Sequence, residues 1–192
     1  MRKYAAVFVV LVLALAASAS AKTYPSSFGY TFVAPDTSWL VLTKTELASN
    51  PVFASLDAGL KAKVASGSIE ILYDRATSDA TFTDYVDIKL GPKGTVPGTP
   101  DAVNAACTAY SAKLTAVAKK PLAVTTCESR DLGAVKAFYV EYDGSVAGTV
   151  TMQYQIVRPD GRLLYVTAVC KKTSLPKFRP DFEAIVKSIR FS

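Results

Sequence analysis

Histidine is absent from this sequence of 192 residues, and its absence excludes several kinds of chemistry. Without an imidazole the chain can build neither a Ser-His-Asp or Cys-His catalytic apparatus nor a histidine-ligated metal site. The sequence also lacks a Cys-x-x-Cys pair and the Gly-Lys-Ser/Thr ending of a phosphate-binding loop. We therefore expect no catalytic residues, no cofactor and no metal, and we predict that the protein is not an enzyme.

A concentrated basic surface is missing as well. The chain has 22 lysines and arginines against 16 acidic residues, and the basic residues are scattered. Without Arg2 and Lys3, the remaining 20 basic and 16 acidic residues leave a net charge of +4. Recognition of nucleic acid needs basic residues gathered on one face with aromatic residues between them. We therefore expect no nucleic-acid partner.

The N-terminal segment is typical of a secretory signal peptide. Arg2 and Lys3 precede an apolar run over residues 5–17, and Ala19-Ser20-Ala21 fits the specificity of signal peptidase. The run is shorter than the ~20 residues of a membrane-spanning helix, although an uncleaved anchor remains an alternative. We predict cleavage near Ala21 and a secreted or periplasmic protein that meets the membrane only transiently through this segment. Residues 22–192 are then expected to form one domain.

The remaining pattern predicts an α+β protein. Strands are expected near residues 30–34 and 39–43, followed by a helix from the Asn50-Pro51 cap to Gly67 and a pair of strands. A second helix starts at Thr99-Pro100 and ends before Pro121. Four β-runs joined by short turns predict an antiparallel meander, which an amphipathic helix starting near Arg179 closes. The expected architecture is a single α/β/α sandwich around an antiparallel sheet.

Three segments of the sequence resemble the PsbP-like superfamily. They are "YTFVAPDTSW", the hairpin "AFYVEYDGSVAGTVTMQYQIV" with its continuation "RPDGRLLYVTAVC", and the terminal "FEAIVKSIRF". The superfamily includes the PsbP subunit of photosystem II, a Ran-GTPase release factor and exported bacterial proteins. The resemblance implies an α/β/α sandwich and a role in binding or assembly. It supplies no catalytic residues that could be carried over to this chain.

Three cysteines lie in the predicted mature chain, so one bridge leaves one thiol over. Cys107 lies roughly 16 Å before the end of its helix, and Cys127 lies roughly 17 Å along the returning strand. If this strand turns back under the helix, the two sulfur atoms meet, and we predict a disulfide between them. A bridge between Cys127 and Cys170 is the competing pair. Cys170 is otherwise expected to be a buried thiol, with a reactive thiol as the alternative.

The segment "GPKGTVPGTP" at residues 91–100 is expected to be a long loop without regular structure. Long loops often carry function, so Pro92, Lys93, Val96 and Pro97 are the candidate contacts to a partner. The leading hypothesis is an exported binding or accessory module of the bacterial envelope with a protein partner. Its oligomeric state stays open.

The alternative function is the binding of a small molecule or lipid, or an undetected hydrolase, in a tyrosine-lined pocket between sheet and helices. Core packing of the tyrosines is the simpler interpretation. The acidic hairpin at residues 70–87 is expected to be a solvated edge, with a weak cation site as the alternative.

Overall fold

The computed structural model describes residues 21–49, 53, 57–119, 121–133 and 135–192. Residues 1–20 of the predicted signal peptide, which comprises residues 1–21, and the predicted helix start at Asn50-Pro51 lie outside the described residues. The described strands are β1 (Lys22–Pro25), β2 (Tyr30–Ala34), β3 (Trp39–Leu42), β4 (Glu70–Asp74), β5 (Tyr85–Lys93), β6 (Val124–Asp131), β7 (Lys136–Asp143), β8 (Thr149–Val157), β9 (Arg162–Lys171) and β10 (Arg190–Phe191). The described helices are α1 (Lys44–Ser49), α2 (Ala58–Ala65), α3 (Pro100–Ala118) and α4 (Leu175–Ser188), with a 3₁₀ turn at Arg75–Thr77.

The main sheet has seven antiparallel strands in the order β3-β4-β5-β9-β8-β7-β6. The predicted meander of β6, β7, β8 and β9 is confirmed. Its last turn shows the local reason, because Gly161 adopts a φ of +79° and its N–H donates to the carbonyl of Arg158 at 2.9 Å. Glycine is the residue that enters this left-handed region without strain.

A second, small sheet joins the two ends of the described chain. The strand β2 pairs with β1 on one side and with β10 on the other. Together with α4 this small sheet covers one face of the main sheet and encloses the larger apolar core. The helices α1, α2 and α3 lie on the opposite face. The predicted fold class, an α/β/α sandwich around an antiparallel sheet, is confirmed.

The closing helix begins earlier than predicted, at Leu175 rather than near Arg179. Pro180 lies inside this helix, where it removes one backbone hydrogen bond. The helix continues because four apolar side chains on one face are buried in the core: Phe178, Phe182, Ile185 and Val186. Burial of each such side chain contributes roughly 1.5–3 kcal/mol, which outweighs the distortion at one proline.

An ionic cluster ties α4 to the main sheet. Arg179 donates two hydrogen bonds to the carboxylate of Glu141, at 2.7 and 2.8 Å. Tyr139 donates to the same carboxylate at 2.7 Å, and the guanidinium of Arg130 stacks on the Tyr139 ring at 3.5 Å from its centroid. Arg179 holds the pKa of Glu141 below its ordinary value, and Tyr139 adds to this effect. The cluster therefore fixes the helix to strands β6 and β7 through paired charges.

The acidic hairpin of β4 and β5 is not a solvated edge, and that interpretation was wrong. β4 pairs with β3 and β5 pairs with β9, so both strands lie inside the sheet. Glu70 and Asp84 are fully buried. Glu70 accepts hydrogen bonds from Tyr30 and from residues 26 and 27, and Asp84 accepts them from the N–H of Lys171 and the hydroxyl of Ser174. Glu70 therefore holds the turn before β2 in place, and Asp84 holds the segment between β9 and α4.

Candidate functional site

A groove runs over the central strands on the face of the sheet that carries α1, α2 and α3. The α1–α2 side packs a small apolar cluster around Leu42, Val64 and Ile71 against β3 and β4. The helix α3 packs at the other end of the sheet, over β6 and β7. Strands β5, β9 and β8 lie between these two packed regions. Their side chains on this face form the floor of a groove of about 640 Å³.

The groove floor is polar and its side chains are linked to one another. Gln153 pairs across the strands with Thr167, and Gln155 pairs with Tyr165. The amide of Gln153 donates to the Thr167 hydroxyl at 3.0 Å, and the amide of Gln155 donates to the Gln153 carbonyl at 3.3 Å. All four residues are half-buried. The floor therefore presents amide and hydroxyl groups in fixed positions.

The helix α3 forms one wall of the groove. Tyr110 anchors it, because its ring packs on Phe138 and Tyr142 and its hydroxyl donates to the Gln153 carbonyl at 2.9 Å. Burial raises the pKa of Tyr110 well above its ordinary value, so this hydroxyl stays protonated and can act as the donor. The groove side of the helix carries apolar side chains, of which Val117 is 76% exposed: Ala106, Ala109, Leu114 and Val117.

The opposite wall comes from the loop at residues 94–98, through Thr95 and Pro97. The predicted loop without regular structure was too long. Pro92 and Lys93 belong to the end of β5, where a register shift between Leu90 and Lys93 accommodates a proline. Of the four candidate contact residues, Pro97 lines the groove and Val96 is its half-buried neighbour. Pro92 and Lys93 are exposed at the strand end, and their role in binding stays a prediction.

Gly91 shows why the segment is rich in glycine. A Cβ at this position would overlap the ring of Tyr165, which lies over the β5 backbone. The side chain of Arg162 donates to the Gly91 carbonyl at 2.9 Å and so fixes the β5 backbone at the same residue. The glycine thus permits a close approach that sets the position of one aromatic ring in the groove floor.

The charged residues of the groove are lysines. Lys89 and Lys113 line it, and the Nζ of Lys89 lies 3.0 Å from an Asp87 carboxylate oxygen. Burial raises the pKa of Asp87, and Lys89 partly offsets the shift. In the described ranges, no three His, Cys, Asp or Glu residues are grouped so that they could hold a metal ion.

The predicted disulfide is present between Cys107 and Cys127, with the two Cα atoms 5.8 Å apart. It joins α3 to β6 beside the groove. Cys170 is free and fully buried on the other face of the sheet. Burial raises the pKa of its thiol to about 12, with a contribution from Asp84, so the thiol is protonated and shielded. The alternative of a Cys127–Cys170 bridge is therefore wrong, and the inertness of the buried Cys170 thiol stays a prediction.

The two glutamines of the floor were missed in the sequence, although a signal for them exists. In "TVTMQYQIV" the residues on one face of β8 are Val150, Met152, Tyr154 and Ile156, all buried. The intervening positions are Thr151, Gln153 and Gln155. A polar face on a strand in the middle of a sheet that has helices on both sides indicates a region that those helices leave uncovered.

Similar solved structures define the fold as that of PsbP and Mog1, so the resemblance seen in the sequence is confirmed at the level of the fold. One is cyanobacterial PsbP (CyanoP) from Synechocystis sp. PCC 6803, with a TM-score of 0.57, 11% identity, and coverage of 91% of this chain and 94% of that one. Another is the Ran-binding protein Mog1p of Saccharomyces cerevisiae, with a TM-score of 0.50, 8% identity, and coverage of 90% and 95%. No protein-family model matches the sequence, and a comparison with curated proteins finds no match.

None of the helices in the described ranges is both long and apolar enough to cross a membrane.

Proposed function

We propose that this protein is an exported binding module of the bacterial envelope, without catalysis of its own, that holds a segment of a protein partner in the groove. The observation that carries the proposal is the groove between α3 and strands β5, β9 and β8. Its floor offers amide and hydroxyl groups, and its walls offer apolar side chains. Convergent polar groups beside apolar surface are the usual composition of binding sites.

Export rests on two independent features. The first is the signal-like segment that ends at Ala21. The second is the Cys107–Cys127 disulfide, since such bonds persist in oxidising compartments and are rare in the cytosol. Sequencing the N-terminus of the protein purified from its native envelope fraction tests this point. We expect Lys22 as the first residue, and a chain that starts at Met1 would contradict cleavage.

The similar solved structures support a binding role by analogy only. One of them is a Ran-binding protein, and the other is a PsbP protein. The fold is therefore compatible with action through protein contacts.

The test compares two tryptophan substitutions on α3. Ala109 lines the groove, whereas Ala112 is exposed on the same helix and does not line it. Affinity capture from the envelope fraction should recover the same partner with the wild type and with Ala112→Trp. Ala109→Trp should lose the partner because the indole fills the groove, while the melting temperature stays unchanged. Equal recovery of the partner with both variants would show that the groove does not bind it.

A second function, the binding of a small molecule, is favoured by Tyr110 and Tyr165 in the groove lining. Aromatic rings beside amide groups suit a ligand of the size of a cofactor or metabolite. Native mass spectrometry of the purified protein separates the two functions. A stoichiometric bound mass that Ala109→Trp removes would support this second function.

A further inference from the structure

The shape of the groove limits what can occupy it. Its α3 wall extends from Ala106 to Val117, which is roughly 16 Å at the helical rise per residue. An extended peptide advances about 3.3 Å per residue, so roughly five residues match this length. The groove is open to solvent along its side, as the exposed fraction of Val117 shows. A peptide segment with one face in solvent fits such a groove better than a ligand that needs enclosure.

The α3 wall offers apolar surface that lines the groove. Ala109 and Val117 are exposed, and Leu114 is half-buried. These residues follow the same side of the helix as Tyr110, which contacts the sheet. An occupant that lies along this wall gains free energy by burying apolar side chains against it. Its side chains on that face should therefore be apolar.

The floor opposite this wall has unused hydrogen-bonding capacity. Among the described residues, the hydroxyl of Tyr165 and the side-chain carbonyl of Gln155 have no hydrogen-bond partner. The Gln155 amide uses one of its two hydrogens, for Gln153. Such groups can bind the peptide N–H and C=O groups of an extended segment. The floor thus suits main-chain contacts.

The positive charge of the groove favours a partner segment with negative charge. The charged residues that line it are Lys89 and Lys113. Asp87 partly neutralises Lys89, whereas Lys113 has no ion pair within the described part of the chain. The predicted mature chain has a surplus of 20 basic over 16 acidic residues. An acidic group on the occupant would pair with Lys113 and would be attracted by the rest of the surface.

Building on the proposed function, we infer that the groove binds an extended, acidic segment of a partner protein. Roughly five residues occupy it, with apolar side chains against α3 and a carboxylate beside Lys113. The apolar contacts supply affinity, and the carboxylate supplies the preference for acidic over basic sequences.

Three fluorescein-labelled synthetic peptides test the inference by fluorescence anisotropy with the full mature chain. The first, Leu-Ser-Leu-Ser-Asp-Glu, is apolar and acidic, and its two leucines and its aspartate share one face of the extended chain. The second replaces its acidic residues with lysine, and the third replaces its leucines with serine. We expect the first peptide to bind and the other two to bind at least roughly ten-fold more weakly, since one face of the segment or its charge is lost.

Charge reversal on the protein provides the matched pair of variants. Lys113→Glu should lower the affinity for the first peptide roughly five-fold, because an exposed ion pair contributes about 1 kcal/mol. Lys44→Glu makes the same change in net charge on α1, away from the groove, and should leave the affinity unchanged. Raising the salt concentration should reduce the difference between Lys113→Glu and the wild type.

Several results would overturn the inference. These are equal binding of the lysine peptide, equal effects of Lys113→Glu and Lys44→Glu, or no binding of the first peptide. Binding of dodecanoate in calorimetry, lost in Ala109→Trp, together with absent peptide binding would assign the groove to a small amphiphilic anion instead. The proposed function survives these outcomes if Ala109→Trp still abolishes capture of the native partner, so the two failures can be told apart.

Discussion

The helix α3 should depend on its disulfide more than on its own packing. None of its described side chains is fully buried. Besides the bond between Cys107 and Cys127, its main anchor is Tyr110, which contacts Phe138 and Gln153. In proteins most helical stability comes from the packing of an apolar face rather than from propensity, and α3 packs little of its surface. Removal of the bridge should therefore loosen α3 while the sheet stays folded.

The size of the effect follows from the closed loop. The two cysteines are separated by 20 residues. In the chain-entropy model, a loop of this length stabilises the folded state by about 3 kcal/mol. For a domain of this size that corresponds to a decrease in melting temperature of roughly 6–12 °C. The double variant Cys107→Ser and Cys127→Ser should show this loss in thermal or urea unfolding.

Hydrogen exchange followed by mass spectrometry locates the change. We expect the amides of α3 to exchange faster in the double variant, whereas those of β8 and β9 keep their protection. Cys170→Ala is the matched control because it removes a cysteine and leaves the bridge intact. A melting temperature within 2 °C of the wild type, with α3 still protected, would contradict a stabilisation of about 3 kcal/mol by the bridge, since each kcal/mol corresponds to roughly 3 °C.

Four other predictions concern residues whose surroundings are well defined. Arg179→Ala should lower the free energy of unfolding by about 2 kcal/mol, measured by urea unfolding. This loss is smaller than that expected on breaking a fully buried ion pair, because Arg179 is partly exposed. The pKa of Glu141 is lowered in the folded state, so its stabilising contribution is present above the unfolded pKa and should be lost as the pH falls through the folded one; Arg179→Ala should flatten this acid limb of the stability profile. Cys170 should resist iodoacetamide at pH 8, since burial raises its pKa to about 12, and should react once urea unfolds the chain; labelling of the folded protein would contradict its burial. Gly91→Ala should displace the Tyr165 ring and cost about 1–3 kcal/mol in thermal unfolding, and an unchanged melting temperature would show that the ring moves freely.

Local sequence patterns were sufficient to predict much of the fold. The meander follows from apolar alternation and from turns such as that at Gly161. The start of α3 follows from Thr99, whose hydroxyl oxygen accepts the N–H of Ala102 as an N-cap. Even the pairing of Cys107 with Cys127 could be predicted, because a helix and the strand that returns beneath it have calculable lengths. Each of these features depends on residues that are near one another in the chain.

The three-dimensional packing decided the features that involve distant residues. β10 pairs with β2 across almost the whole chain, and no local pattern indicates such a partner. Glu70 is buried because the turn before β2 folds over it and supplies its donors. The groove exists because α3 covers β6 and β7 and leaves β8 uncovered, so Gln153 and Gln155 line an open surface. The sequence by itself determined which segments become strands and helices, since propensity, turns and caps act locally. Only the tertiary structure decided which polar side chains are enclosed and which remain available to a partner, because burial depends on what packs against each face.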